Sequence, residues 1–324
     1  MLGHHPTPFF PSVETRIVED IDSIAMAMAD GIRGEYVQLE PNQFGGRWTT
    51  VRFNTIVVQF GCANVAVARR VVAPADRWLF MVPLTVSSEA RWNAHVMRAD
   101  DIIACPPGTE CLAFDPAATR FAIITANLSS AVAAAAQRLF STRNASALAA
   151  TCGGEALTLR NRLKQLRARA ESEHVTPLTR FDDCLHQHLA RCLERSAQAH
   201  GEVTADGGRS RIVGRAEEFF RTHVSEGVSV AKLSSVVGVS ERSLRNAFYD
   251  VYTTSPKRYM KLWQLHQVRR ALRAAGGATV TEVATCHGLY ELGRFAGAYK
   301  SLFGEAPSET LNKTRARATM LGAA

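Results

Sequence analysis

Residues 229–252 read SVAKLSSVVGVSERSLRNAFYDVY, and this stretch decides the fold of the last third of the chain. Val230, Leu233, Val236 and Val237 form an apolar face before Gly238, and Leu244, Phe248 and Val251 form another after it. Both follow helical spacing, with the glycine as the turn between them. Ser240 suits an N-cap, since its hydroxyl can accept an orphan backbone N–H, and Glu241 places an anion in the first turn, where the dipole favours it. The outward face carries Arg242, Ser243, Arg245 and Asn246, side chains able to donate to base edges and phosphates. This is the pattern of a helix-turn-helix. Taken alone, it is equally the pattern of a helical hairpin with a solvated basic face.

Working outward resolves that ambiguity. After Tyr252, Ser255 caps and Pro256 opens a helix that runs to Gly276, about 28 Å at 1.5 Å per residue. The hairpin pattern then returns in TVTEVATCHGLYELGRFAGAYKSLFG. Gly288 falls on Gly238 and Leu289 on Val239; with one more residue in the turn, Phe295 falls on Leu244 and Tyr299 on Phe248. A chance hairpin has no reason to recur with its turn glycine and apolar anchors in place. Two such units on a rigid connector can reach successive major grooves, about 34 Å apart.

Residues 211–311 resemble the C-terminal domain of AraC/XylS-type transcription regulators. The match is carried by Leu233, Gly238, Val239, Ser240, Leu244 and Phe248, then by Ser255, Pro256 and Tyr259. Val283, Ala284, Gly288, Phe295, Ala298, Tyr299, Lys300, Phe303, Gly304, Pro307, Ser308 and Glu309 complete it. The resemblance implies that each second helix reads bases. In the first unit those positions are Arg242, Ser243, Arg245 and Asn246; in the second they are Leu292, Gly293, Arg294, Ala296 and Gly297. The second set departs from a polar reading face, because Arg294 alone offers a strong polar contact. The first unit is therefore expected to supply most base specificity, with Arg294 and Lys300 holding the second in place on the backbone.

Charge supports a polyanionic partner for this part of the chain. Residues 211–324 hold 17 Lys and Arg against 9 Asp and Glu, whereas residues 1–210 hold 21 of each. The whole excess of +8 lies with the repeated units. At about 150 residues per domain, 324 residues suggest two domains.

Upstream the texture differs. Residues 1–18, with Pro6, Pro8 and Pro11, read as an irregular tail, and Ile21–Met28 as a short helix. From Glu35 to about Leu128, short runs rich in Val, Ile, Phe and Trp alternate with turn signals: 36–39, 48–53, 55–60, 65–72, 78–83, 90–96, 101–104, 110–114 and 121–127. Many short strands at regular spacing predict a cupin-like jelly-roll. Residues 128–140, 155–173 and 178–197 then read as helices, the last two leucine-striped, suited either to packing on the barrel or to a dimer seam. Glycine-rich residues 198–210 read as a linker, and Ile212–His223 as a further helix.

The fold expected is thus α+β: a sensor jelly-roll with flanking helices (1–128), a helical dimerisation or packing region (129–200), a linker (201–210), an all-α double helix-turn-helix domain joined by a long helix (211–312) and a tail (313–324). The N-terminal resemblance to family sensor domains rests on texture and position. A pocket in the barrel would bind a small-molecule effector, with Trp48, Arg52, Gln59, Arg77, Trp78 and Trp92 as candidate lining. His95 is the only histidine between residues 35 and 127, and no G-x-S-x-G, H-E-x-x-H or phosphate-cradling loop occurs, so neither catalytic nor metal-ligating residues are expected, and no cofactor.

Seven cysteines without C-x-x-C fit reduced thiols in a cytoplasm. No signal peptide or membrane span is expected. The expected partners are duplex DNA, the effector, a second copy of the chain and RNA polymerase; activation is the output that the resemblance implies. The alternative is a constitutive or partner-controlled DNA-binding regulator whose barrel only dimerises.

Overall fold

The structure, a computed structural model, describes residues 11–28, 31–85, 87–129, 132–134, 136–137, 140, 148–151, 154–172, 181–198, 207–274 and 278–322. Two antiparallel sheets face each other. The first runs in the order β1 (Ser12–Val18), β3 (Gly46–Arg52), β4 (Ile56–Ala63), β11 (Arg120–Ala126), β6 (Trp78–Pro83), β9 (Asp101–Cys105), β12 (Leu148–Thr151). The second runs β2 (Arg33–Gln38), β5 (Val67–Val72), β10 (Glu110–Asp115), β7 (Arg91–Trp92), β8 (His95–Val96). Alternation along each strand fixes which residues meet between the sheets. Leu79, Met81, Phe121 and Ile123 of the first pack there against Val71, Trp92, Cys111 and Ala113 of the second.

Two sequence expectations change here. Ser12–Val18 is a strand, not part of an irregular tail: Val13, Thr15 and Ile17 alternate with Glu14 and Arg16, and the run pairs with β3 in register Thr15↔Thr49. The prolines before it obscure that alternation. The single run 90–96 is a hairpin of two short strands, because Asn93 (φ 46) and Ala94 (φ 67) both turn left-handed, as a two-residue hairpin loop requires.

Both outer faces of the sandwich are covered. On the first sheet, Val58, Phe60, Trp78, Phe80 and Ile124 join Leu159, Leu163 and Leu166 of α2 (Gly154–Glu171) and Leu185, Leu189 and Leu193 of α3 (Phe181–Gln198) in one core. Of the two roles open to these helices, packing on the barrel is the one described. The helix expected over 128–140 and Gly276 at the end of the long connector lie in part or wholly outside the described residues. α1 (Ile24–Ala27) follows a 3-10 turn at Ile21–Ser23, within the span expected for a short helix.

The C-terminal helices are α4 (Gly207–Thr222), α5 (Val230–Val237), α6 (Glu241–Tyr252), α7 (Pro256–Ala274), α8 (Val280–Cys286), α9 (Leu292–Phe303) and α10 (Pro307–Gly322). α4 takes in residues 207–210, read as linker from their glycines, and α10 takes in most of the expected tail. On the second sheet, Val37, Leu39, Ala68, Leu112 and Phe114 share a core with Phe220, Leu244, Phe248, Tyr259 and Trp263. The second sheet and the first helix-turn-helix are thus one packed body.

Candidate nucleic-acid interface and sensor pocket

The repeated turn is built as its spacing requires. Ser229 caps α5 by accepting from Lys232 N–H, and Gly238 ends it at φ 78, a left-handed conformation that glycine adopts without a Cβ penalty. Arg215 donates to the carbonyls of Val236 and Val237 at the same helix end, where a cation is favoured. The Ser240 hydroxyl accepts from Ser243 N–H at 3.1 Å and opens α6. Leu244, Phe248 and Val251 are fully buried beneath it. In the second unit Thr279 and Glu282 form a reciprocal capping box on α8, and Phe295 and Tyr299 of α9 are buried at the matching positions. Gly288 has φ 73, and a Cβ there would lie 2.4 Å from the Val224 carbonyl oxygen, so the second turn sits tightly against the segment leading into the first unit. Tyr290 Oη donates to Ser225 O across the same seam at 2.7 Å.

Arg242, Ser243, Arg245 and Asn246 all lie on the exposed face of α6. The Arg245 guanidinium pairs with Glu241 at 2.6 Å along the helix, and the Ser243 hydroxyl shares a 2.9 Å hydrogen bond with Ser240. On α9, Leu292, Gly293, Arg294, Ala296, Gly297 and Lys300 are exposed. Arg294 pairs with Glu291 at 2.9 Å, one turn back, and Glu291 makes no side-chain cap to α9.

The candidate effector residues do not converge. Trp48 lines a cavity of about 10 Å³ between the sheets, with Tyr36, Arg69, Asp115, Thr119 and Phe121. Gln59 faces inward but donates to Thr50 Oγ1 and Ala27 O, both at 2.9 Å, and so belongs to the core. Trp92 is buried on the far side of Arg69, whose guanidinium lies 5.5 Å from its ring. Trp78 is displaced by strand parity: Leu79 and Met81 point inward, so Trp78 faces outward, against Phe80 and Phe140. Arg77 precedes that strand and pairs with Asp76 at 3.6 Å, and Arg52 ends β3 opposite Ser12 and Val57. Neither of these two arginines lines the cavity.

What the sequence reading missed is a buried charge. Arg69 is 3% exposed and holds Asp115 with two contacts, Nε at 2.6 Å and an Nη donor at 2.9 Å, while its guanidinium lies 4.4 Å from the Phe121 ring centroid. Burial raises the Asp115 carboxyl above its ordinary value, and the Arg69 charge opposes that. The Tyr36 hydroxyl, Trp48 Nε1 and Thr119 Oγ1 beside them are buried without a hydrogen-bond partner. The signal was partial: Arg69 sits within the expected strand 65–72 and Asp115 just past the expected strand 110–114, but a strand arginine ordinarily points to solvent. His95, the lone barrel histidine, pairs with buried Asp101 at 2.7 Å. Among the described residues no group of three or more His, Cys, Asp or Glu is arranged to hold a metal ion, and no helix is long and apolar enough to cross a membrane.

The geometry defines a protein with a closed β-sandwich and a paired helix-turn-helix domain. A helix-turn-helix domain family matches residues 233–313. The chain is 39% identical over 102 residues to the probable thc operon regulatory protein of Rhodococcus erythropolis, covering 31% of each chain. It is 36% identical over 143 residues to XylDLEGF operon transcriptional activator 2 of Pseudomonas putida, covering 44% of this chain and 85% of that protein. The solved AraC-like transcriptional activator CuxR aligns over 84% of this chain and 98% of its own, at 14% identity and a TM-score of 0.41. The match spans 31% of the length of the first of these curated relatives. The chain belongs to the AraC/XylS family of transcription regulators.

Proposed function

We propose that the protein is a sequence-specific regulator of transcription, an activator acting in the cytoplasm on duplex DNA under the control of a small effector bound by the N-terminal sandwich. The observation that carries the DNA reading is the pair of exposed recognition helices, α6 and α9, whose turn glycines and buried anchors recur at matching positions. Arg242, Arg245 and Asn246 offer base-edge donors, and Arg294 and Lys300 offer phosphate contacts. Selection of binding duplexes from a randomised pool by the full chain tests it; failure to enrich any sequence overturns the reading.

The effector reading is supported by the Arg69–Asp115 pair and the unpartnered donors of Tyr36, Trp48 and Thr119, which converge on one small space. A ligand entering there must widen it, because about 10 Å³ holds no more than one water. That closed interior favours a second reading, in which the sandwich serves only as a scaffold and dimerisation surface. A thermal-shift screen separates the two, since a ligand bound to the folded state raises stability by mass action. Contacts with a second copy and with RNA polymerase complete the proposed assembly.

A further inference from the structure

The two recognition helices present opposite chemistries. α6 carries two arginines and an asparagine outward, whereas α9 shows Leu292, Gly293, Ala296 and Gly297, with Leu292 38% exposed at its first position. Leu292 and Ala296 stand one turn apart on one face, flanked by the two glycines in the same register. Tyr290 extends that apolar surface: its hydroxyl is held by Ser225 O while 62% of the residue stays exposed.

The glycines lack an internal reason. Each costs helix stability relative to alanine. Yet a Cβ at Gly293 or Gly297 would meet nothing within 4 Å in the chain, and neither residue has the positive φ that fixes Gly288. Packing and backbone geometry both leave room for alanine, so nothing within the chain requires glycine at either position.

We infer that α9 reads thymine 5-methyl groups: Leu292 and Ala296 press onto them in the major groove, and Gly293 and Gly297 let the helix backbone come close enough to do so. This rests on the DNA-binding reading above. The thymine methyl is the one apolar feature of the major-groove edge, and apolar side chains are its natural complement. The first unit would then discriminate by hydrogen bonds and the second by methyl contact, so its half of the operator is specified by thymine placement.

The test uses duplexes selected by the full chain from a randomised pool, with thymine replaced by deoxyuridine in one half-site at a time. Removing a contacted methyl under the second unit should weaken binding about three- to fivefold, the value of one buried CH2 group. The same change under the first unit should have a smaller effect. Leu292→Ser, at an exposed position, should fold normally and lose the penalty for deoxyuridine, whereas Arg245→Ala should weaken binding but keep it. Full sensitivity to deoxyuridine in Leu292→Ser, or none in the wild-type chain, overturns the inference while leaving DNA binding intact. Failure of the pool to yield any bound sequence overturns both.

Discussion

Arg245 and Arg294 occupy comparable exposed positions but sit in different company. Arg245 shares its face with Arg242 and Asn246, while Arg294 is surrounded by leucine, alanine and glycine. Arg245→Ala is expected to cost base discrimination of about 1–3 kcal/mol, while Arg294→Ala weakens binding nearly evenly across sequences. Competition assays against mismatched duplexes measure both, and an equal loss of discrimination from Arg294→Ala would contradict the assignment. Inside the sandwich, Arg69→Met leaves the Asp115 carboxylate buried alone and should destabilise the fold by about 3–5 kcal/mol, whereas Arg69→Met with Asp115→Leu should recover most of that in denaturant unfolding. His266 makes a pH prediction. Its Nε2 accepts the Gln38 backbone N–H at 2.9 Å, and burial, with the charges of Arg270 and Arg269, pushes its pKa down to about 3. The unfolded chain takes up this proton near pH 6.5 and the folded chain does not. Stability is therefore lost as pH falls from about 6.5 towards 3, by about 1.4 kcal/mol per unit. Melting curves between pH 8 and 5 should show that slope, and His266→Asn should flatten it.

Among the elements, α9 is where sequence and stability part company. Gly293→Ala and Gly297→Ala should each stabilise the folded chain by up to about 1 kcal/mol in thermal unfolding and weaken operator binding in the same protein. If both changes leave affinity untouched, the glycines serve no close approach. The elements that were legible were those with strong local grammar. Helices α5 to α9 and the turn glycines followed from spacing, and strand β6 was read at its observed bounds because Trp78–Pro83 is bounded by clear turns. β1 was lost beneath a proline-rich flank, and the hairpin at 91–96 was read as one strand because Asn93 and Ala94 carry no glycine to mark a left-handed turn. The exposed positions of α6 and α9 could be found from helical phase alone. The residues lining the space between the sheets could not, because strand parity decides which of Arg69, Trp78 and Trp92 faces inward, and parity alone does not say which face is the interior when both are apolar. Here both faces are buried, one by α2 and α3 and the other by the DNA-binding helices.

Across the whole molecule, a belt of ion pairs joins the two halves. Asp22 and Glu35 of the N-terminal sandwich meet Arg270 of α7 at 2.6 and 3.3 Å, Asp20 meets Arg269 and Arg273, and Glu35 also meets Arg221 of α4. Arg70 of β5 lies 3.6 Å from Glu217, which is buried and accepts from Tyr252 Oη. Glu35→Gln combined with Asp22→Asn should loosen the docking, read as faster amide exchange in β2 and α7 with the α6–Leu244 core still protected. Raising salt should mimic it in part, since these groups are only partly buried. Beneath the belt, Tyr259, Met260 and Trp263 of α7 belong to the core shared with the second sheet. That has a practical consequence for modular engineering. A chimaera that transplants residues 207–322 onto a foreign sensor carries its old roof support with it: without Val37, Leu39, Leu112 and Phe114 to cover them, those side chains become an adhesive patch. A portable reading head from this chain would need polar replacements at Met260 and at other positions along that seam before its choice of DNA sequence could be put to new use.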